Sequence, residues 1–204
     1  MRTRSPSGAR LANQQELVAA IERLLERGAS YAELTVGEIA SEAGISRTSF
    51  YFAFEDKRDL LKAAAGELAG LMTEPAEQWL SDPGSTRAEL ERALRVLVCG
   101  FAEHAPLLRA VIEAASYDAQ VGVFWRDLVA RYIVLARDRL CVGGACTPER
   151  AGVLGAAAVW MTERVLYQEV ACRAGRSDTT GVVEGLADVW WGVITAHLGA
   201  NERV

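Results

Sequence analysis

The sequence predicts an all-α protein of about nine helices: an N-terminal three-helix helix-turn-helix domain over residues 1–56, with a basic arm ahead of it, and a C-terminal helical domain over residues 57–204. Three observations carry this. Apolar residues recur at helical spacing in almost every long segment, and the alternation of a strand is absent. Residues 35–61, TVGEIASEAGISRTSFYFAFEDKRDLL, hold two short amphipathic segments around Ala43-Gly44-Ile45, the pattern of a helix-turn-helix. Helix stops and starts then divide the remainder into lengths that suit a bundle.

In chain order, residues 11–26 form a first helix, with Leu17, Val18, Ile21, Leu24 and Leu25 as its apolar stripe and Gly28 as its stop. Val36, Ile39, Ala40 and Ala43 give the second helix, 36–43, an inward face. Gly44 supplies the turn and Ser46 caps the third helix, which runs to about residue 52. Phe50, with Ile45, is placed to plug the small three-helix core. Asp56 caps a fourth helix over 57–80. Asp82-Pro83-Gly84-Ser85 breaks the chain, and Thr86-Arg87-Ala88-Glu89 reads as a capping box that opens a fifth helix ending near residue 103. Pro106 suits the first turn of a short sixth helix. The seventh covers 119–141. After a Gly143-Gly144 loop, Thr147-Pro148 opens a long eighth helix to about residue 171, then 175–180 form a loop and 181–198 a ninth helix. There is no internal repeat and no low-complexity segment.

Half the residues are hydrophobic and 24% charged, as in an ordinary soluble globular protein. No apolar run approaches the roughly 18 residues of a membrane span, and the arginines of the N-terminus have no apolar core after them, so neither a membrane protein nor a secretory signal is expected. The expected location is the cytoplasm. Net charge is −5, but residues 1–62 hold nine Lys/Arg and nine Asp/Glu, so the acidity lies outside the helix-turn-helix part. Arg2, Arg4 and Arg10 form a basic arm that is either a phosphate or minor-groove contact or a solubilising tail. Cys99, Cys141, Cys146 and Cys172 make no Cys-x-x-Cys pair, and with only His104 and His197 available no metal site is expected. A disulfide between Cys141 and Cys146 is conceivable, against free thiols in a reducing compartment. No nucleophile stands with a base and no glycine-rich phosphate loop occurs, so no catalytic residue and no cofactor is assigned. Glu103-His104 reads as a helix end rather than an acid–base pair.

In a helix-turn-helix the second helix enters the major groove, with its N-terminal residues toward bases and phosphates. Here that helix carries Ser46, Arg47, Thr48, Ser49 and Tyr51, which points to double-stranded DNA as a partner. Arg47 can make a bidentate contact to guanine, and Thr48 and Ser49 can hydrogen-bond to base or backbone. Ser46 serves first as the cap, and Tyr51 is open to a second role as a core aromatic. Lys57 stands at a helix N-terminus, where backbone N–H groups also favour phosphate. Glu55, just before it, is expected to weaken DNA binding or to point away.

Thr35, Ile39-Ala40, Ala43-Gly44, Ser46, Phe50-Tyr51, Phe54, Lys57 and Leu60-Leu61 together resemble the TetR family of bacterial repressors. The stretch 101–104, Phe124-Trp125, Met161-Thr162-Glu163-Arg164 and Asp188-Val189-Trp190 resemble the subgroup that contains the mycobacterial repressor of the ethionamide-activating monooxygenase. The resemblance implies a homodimer on a palindromic operator, with a ligand pocket in the large domain that alters the spacing of the two DNA-binding heads. By position it implies Arg47, Thr48 and Ser49 at bases, and Thr35, Tyr51 and Lys57 at phosphates.

In the large domain, Leu90, Leu94, Leu97 and Phe101 share one helical face and Trp125, Val129 and Tyr132 another, while Thr162, Glu163, Leu166 and Tyr167 mark a third. Converging faces of this kind describe either a small-molecule site or a plain bundle core. The resemblance favours the site, with Trp190 added to its lining and Thr162 and Glu163 as polar handles. Relatives in the subgroup present amides at the positions matching Thr162 and Val159; valine cannot hydrogen-bond, which implies a small, mostly apolar effector. Glu163 could instead pair with Arg164 or Arg131. The eighth and ninth helices are expected to form the dimer contact, through Gly152, Gly155, Ala156, Ala157 and Ala158 on one and Val182, Val183, Leu186, Trp191, Val193 and Ile194 on the other. Two other readings stay open at this point: a DNA-binding regulator controlled by a partner or by redox state, and a ligand-binding dimer whose head is idle.

Overall fold

The computed structural model describes residues 6–142, 146–173 and 179–197, and these contain nine α-helices and no strand. They are α1 (Pro6–Glu26), α2 (Val36–Glu42), α3 (Arg47–Ala53), α4 (Lys57–Ser81), α5 (Arg87–Glu103), α6 (Ala105–Tyr117), α7 (Ala119–Cys141), α8 (Pro148–Val165) and α9 (Thr179–Thr195), with α8 continuing through a π-helical Leu166–Ala171. The expected Arg2 and Arg4 of the basic arm, the Gly143-Gly144 loop, most of the 175–180 loop and the last residue of the ninth helix lie outside the described residues.

Local chemistry sets the boundaries. Helix α1 stops in a paired C-terminal turn: Gly28 N–H donates to Leu25 O (2.9 Å) and Ala29 N–H to Leu24 O (3.0 Å), with Gly28 at φ 88°. α1 begins five residues earlier than expected, at Pro6, a residue suited to a first turn. Asp56 caps α4 by accepting from Arg58 N–H (2.8 Å) and Asp59 N–H (3.0 Å). The Thr86–Glu89 capping box is formed in both directions. Asp118 alone separates α6 from α7 and caps the latter through Gln120 N–H and Val121 N–H. Pro75 lies within α4 and cannot donate to Leu71 O, which sits on an exposed stretch where water can take its place.

The described residues of Met1–Leu68 and Pro106–Trp125 form one compact unit, and those of Ala69–Ala105 and Arg126–Val204 a second. The expected boundary between Asp56 and Lys57 falls at the start of α4. In the first unit α1, α2 and α3 pack mutually around Leu17, Ile21, Ile39 and Phe50, all fully buried. Ile45 is only half-buried, so Phe50 carries the plug. In the second unit α5 packs on α9, and α8 packs on α9, around Leu90, Leu94, Val98, Leu166, Leu186 and Ile194.

Candidate functional site

The turn between α2 and α3 is built like the stop of α1. Gly44, at φ 67°, donates to Ser41 O (3.1 Å) and Ile45 N–H donates to Ala40 O (2.9 Å), which sets the direction in which α3 departs. Ser46 caps α3: its Oγ accepts from Ser49 N–H (3.1 Å) and lies 2.9 Å from Ser49 Oγ. Phe50 faces the core at 0% exposure, so the opposite side of α3 faces out. Thr48 and Phe52 lie on that side, Arg47 and Tyr51 on its flanks, and all four are exposed, while Ser49 is half-buried. Tyr51 is 52% exposed and touches Phe50 edge-on at 5.6 Å, so its ring rests on the core while its hydroxyl is outside.

Thr35 and Arg47 both approach Gly37. A side-chain carbon there would lie 3.7 Å from Thr35 Oγ1 and 3.9 Å from Arg47 Cδ. Thr35 forms a second capping box, accepting from Glu38 N–H (3.2 Å) and donating N–H and Oγ1–H to Glu38 Oε2 (2.8 and 2.7 Å). Those two donors hold the Glu38 carboxyl below the usual range. Of the other acids near α3, three are held in ion pairs and Glu55 is exposed. Glu42 takes Arg23 and Arg27, Asp56 takes Arg58, and Asp59 takes Lys62. No carboxylate among the described residues pairs with Arg47, which leaves its guanidinium for an external acceptor.

Lys57 makes contacts that its sequence position does not announce. Its Nζ donates to Tyr31 O (3.0 Å), Ala32 O (3.0 Å) and Leu34 O (2.8 Å), and sits 4.9 Å from the centre of the Tyr31 ring. All three ammonium protons are thus directed at the connection between α1 and α2. Burial pushes the Lys57 ammonium below the ordinary lysine value, with Glu38 opposing. Beside it opens a cleft of about 380 Å³ lined by Tyr31, Ala32, Asp56, Lys57, Arg58, Tyr117 and Asp118. Its charges are engaged internally, because Arg58 bridges Asp56 (2.5 Å) and Asp118 (3.6 Å). Glu55 is exposed, with its backbone N–H on Asp59.

In the second unit Leu90, Leu94, Phe101, Val129, Val159, Thr162, Glu163, Leu166 and Trp190 are buried, and Leu97, Tyr132 and Tyr167 half-buried. Trp125, also buried, belongs to the first unit. Thr162 is a link in an internal chain: Trp190 Nε1–H donates to Thr162 Oγ1 (2.8 Å), which donates to Ala158 O (2.8 Å). Trp190 packs edge-on against Trp79, whose Nε1–H donates to Thr86 O (3.1 Å). Glu163 stands 3.8 Å from Arg164, whereas Arg131 pairs with Glu77 at 3.3 Å. Tyr132 donates to Glu77 Oε1 (3.0 Å) and lies 2.5 Å from Thr73 Oγ1. Burial is the main reason its hydroxyl is raised above the ordinary tyrosine value.

Two expected dimer-face residues have another use. A side-chain carbon at Gly155 would come within 3.1 Å of Arg137 N and 3.2 Å of Ile133 O, so this glycine lets α8 approach α7 in the same chain, and Ala158 is buried beside it. Val183, Leu186 and Ile194 of α9 are likewise buried in this chain. The exposed apolar and small residues are Val153, Ala157 and Trp160 on α8 and Gly181, Gly185, Val189 and Gly192 on α9, the latter interspersed with exposed Glu184 and Asp188. Trp191 is half-buried. His104 caps the C-terminus of α5 through N–H to Gly100 O, as a helix end should, and all four cysteines are free thiols.

Residues 17–64 match the family described as bacterial regulatory proteins, tetR family, and residues 90–196 match the transcriptional regulator EthR, C-terminal domain. The HTH-type transcriptional regulator EthR of Mycobacterium tuberculosis is 27% identical over 211 residues, covering 98% of this chain and 93% of that protein. The regulator of the same name from Mycolicibacterium smegmatis is 29% identical over 138 residues, covering 64% of this chain and 63% of its own length. Among solved structures, a TetR-family transcriptional regulator of Syntrophomonas wolfei superposes with a TM-score of 0.71 at 17% identity, over 93% of this chain and 98% of that one.

Proposed function

This chain belongs to the tetR family of bacterial regulatory proteins and carries an EthR-type C-terminal domain, and from that membership we propose a ligand-responsive repressor. It acts in the cytoplasm as a homodimer on a palindromic operator and leaves the DNA when a small, mostly apolar effector binds. The observation that carries this is Arg47: exposed, unpaired by any described carboxylate, and set on the flank of the outward side of α3, next to Thr48. Because Glu42, Asp56 and Asp59 are paired internally, a head with no net charge over residues 1–62 still offers a local cation to DNA. Thr35, Ser46, Ser49 and Tyr51 supply hydroxyls around it.

The effector region is assigned to the apolar faces of α5, α7 and α8, with Trp190 of α9. Occupation of the Thr162 hydroxyl by Trp190 and Ala158 supports an effector held mainly by apolar contact. The dimer contact is assigned to the outward stripes of α8 and α9. Val153 is 71% exposed, and Gly185 and Gly192 have open space where a side chain would stand, so a second helix can come close. Release follows from differential affinity: an effector that binds only one spacing of the two heads lowers operator affinity by that difference.

The test is fluorescence anisotropy on duplex DNA from upstream of the gene, against a scrambled duplex, across a salt series, with light scattering for the dimer. Specific binding with a steep salt slope is expected. Arg47→Ala should reduce discrimination between operator and scrambled DNA by about 1–3 kcal/mol per half-site, the worth of one bidentate base contact in each. An unchanged specificity ratio in that variant would remove α3 from base reading.

A further inference from the structure

Phe52 is 74% exposed, more than any other aromatic side chain among the described residues. Folding does not account for it. The inward face of α3 is complete with Phe50 and Ala53, and the ring contacts of this helix run from Phe50 to Tyr51 and to Phe54 without involving Phe52. Residues on a helix are about 100° apart, so Thr48 and Phe52, two positions to either side of Phe50, flank the point opposite its buried ring. Phe52 therefore projects from the same outward face as Thr48, flanked by the exposed Tyr51, and it is the purely apolar exposed group on a helix whose other exposed side chains are a cation and hydroxyls. In the major groove the apolar feature is the C5-methyl group of thymine, which side chains read by direct apolar contact.

We propose that Phe52 is a specificity-determining residue whose ring meets a thymine methyl in each operator half-site. The inference rests on the DNA-binding reading of α3 given above. It divides the labour on this helix: Arg47 and Thr48 select by hydrogen bonds, and Phe52 selects a T·A pair by excluding water from its methyl group.

The experiment uses the full-length protein and a duplex selected from a randomised pool, then the same duplex with deoxyuridine replacing thymidine at one symmetric pair of positions at a time. Deoxyuridine removes only the methyl. At one such pair the wild type should lose about 4-fold in affinity per half-site, or about 15-fold for both, the worth of one buried methyl-sized group at each. Phe52→Ala should bind the thymidine and deoxyuridine duplexes equally, and Phe52→Leu should keep part of the difference. Circular dichroism of both variants should match wild type, as expected for a side chain this exposed. Wild-type indifference to deoxyuridine at every position, with selection of the duplex intact, would overturn the assignment of Phe52 alone. Retained methyl sensitivity in Phe52→Ala would overturn it as well. Failure of the wild type to select any duplex would overturn the DNA-binding reading itself.

Discussion

Replacing Lys57 by methionine removes an ammonium while keeping most of its apolar stem, and the geometry sets what should follow. Three carbonyls, of Tyr31, Ala32 and Leu34, lose donors at 3.0, 3.0 and 2.8 Å. Hydrogen bonds to charged groups are worth about 1.5–3 kcal/mol each when fully counted, but the Ala32 site is exposed and water replaces the lost donor there. The part-buried bonds to Tyr31 and Leu34 carry most of the effect. Loss of the cation over the Tyr31 ring adds about 0.5–1 kcal/mol. Relief of the cost of burying the ammonium acts in the opposite direction, as its lowered proton affinity indicates. The net expectation is destabilisation by about 2 kcal/mol, or a fall in Tm of about 4–8 °C for a chain of this size. Thermal denaturation followed by circular dichroism reads this directly. The same variant tests the phosphate role expected for Lys57, since loss of a phosphate contact would lower the salt slope of DNA binding by about one per protomer. A melting temperature within about 1 °C of wild type, together with a lowered salt slope, would refute the clip and favour a lysine that reaches DNA.

Thr162→Val should cost about 1–3 kcal/mol, because the buried Trp190 Nε1–H is left without an acceptor, while Thr162→Ser should retain most of the stability; equal urea midpoints for valine and wild type would show that the bond is immaterial. Glu42 is held below its ordinary value of 4.5, first by Arg27 and then by Arg23, so its contribution is present above that value and lost as pH falls through the lowered one. Urea midpoints measured from about pH 5 downward should therefore fall less steeply in Glu42→Gln than in wild type, and parallel curves would contradict the assignment. Gly155→Ala should destabilise by about 1–3 kcal/mol, because α7 backbone atoms must move. Gly185→Ala has open space in the chain and should raise monomer stability by up to about 1 kcal/mol, but weaken the dimer by sedimentation analysis if α9 is the contact; unchanged association would place the contact elsewhere.

The parts of this molecule that were legible in advance are those whose causes lie within about five residues. Gly28 and Gly44 bond to carbonyls three positions back, and Ala29 and Ile45 after them to carbonyls five positions back, which closes both helices. Ser46, Asp56 and Thr86 satisfy the free N–H groups of the turns they begin. Core positions such as Leu17, Ile21, Ile39, Phe50, Leu90 and Leu94 follow from helical spacing, and all are buried. The family resemblance of residues 35–61 has the same local origin, since the turn and both short helices are specified within the stretch itself.

Partner choice between elements was not legible. Periodicity marked Thr162 as inward but could not say that its hydroxyl meets Trp190, 28 positions away. Gly155 reads as a residue permitting close approach, and its local sequence is silent on whether α7 or a second chain makes that approach. Phe52 carried a usable signal, its four-residue spacing from Thr48, which placed it on the outward face.

The sequence by itself determined the all-α class, the capped helix ends at Gly28, Gly44, Ser46, Asp56 and Thr86, the turn before α3 and the exposure of Arg47, because capping bonds and the 3.6-residue repeat are encoded over a few neighbouring positions. Only the tertiary structure decided that Lys57 ties down the α1–α2 connection, that Arg58 joins Asp56 to Asp118, and that Thr162 serves Trp190. Those outcomes depend on the rotation and separation of packed helices, which the interlocking of many side chains settles together and no single segment specifies.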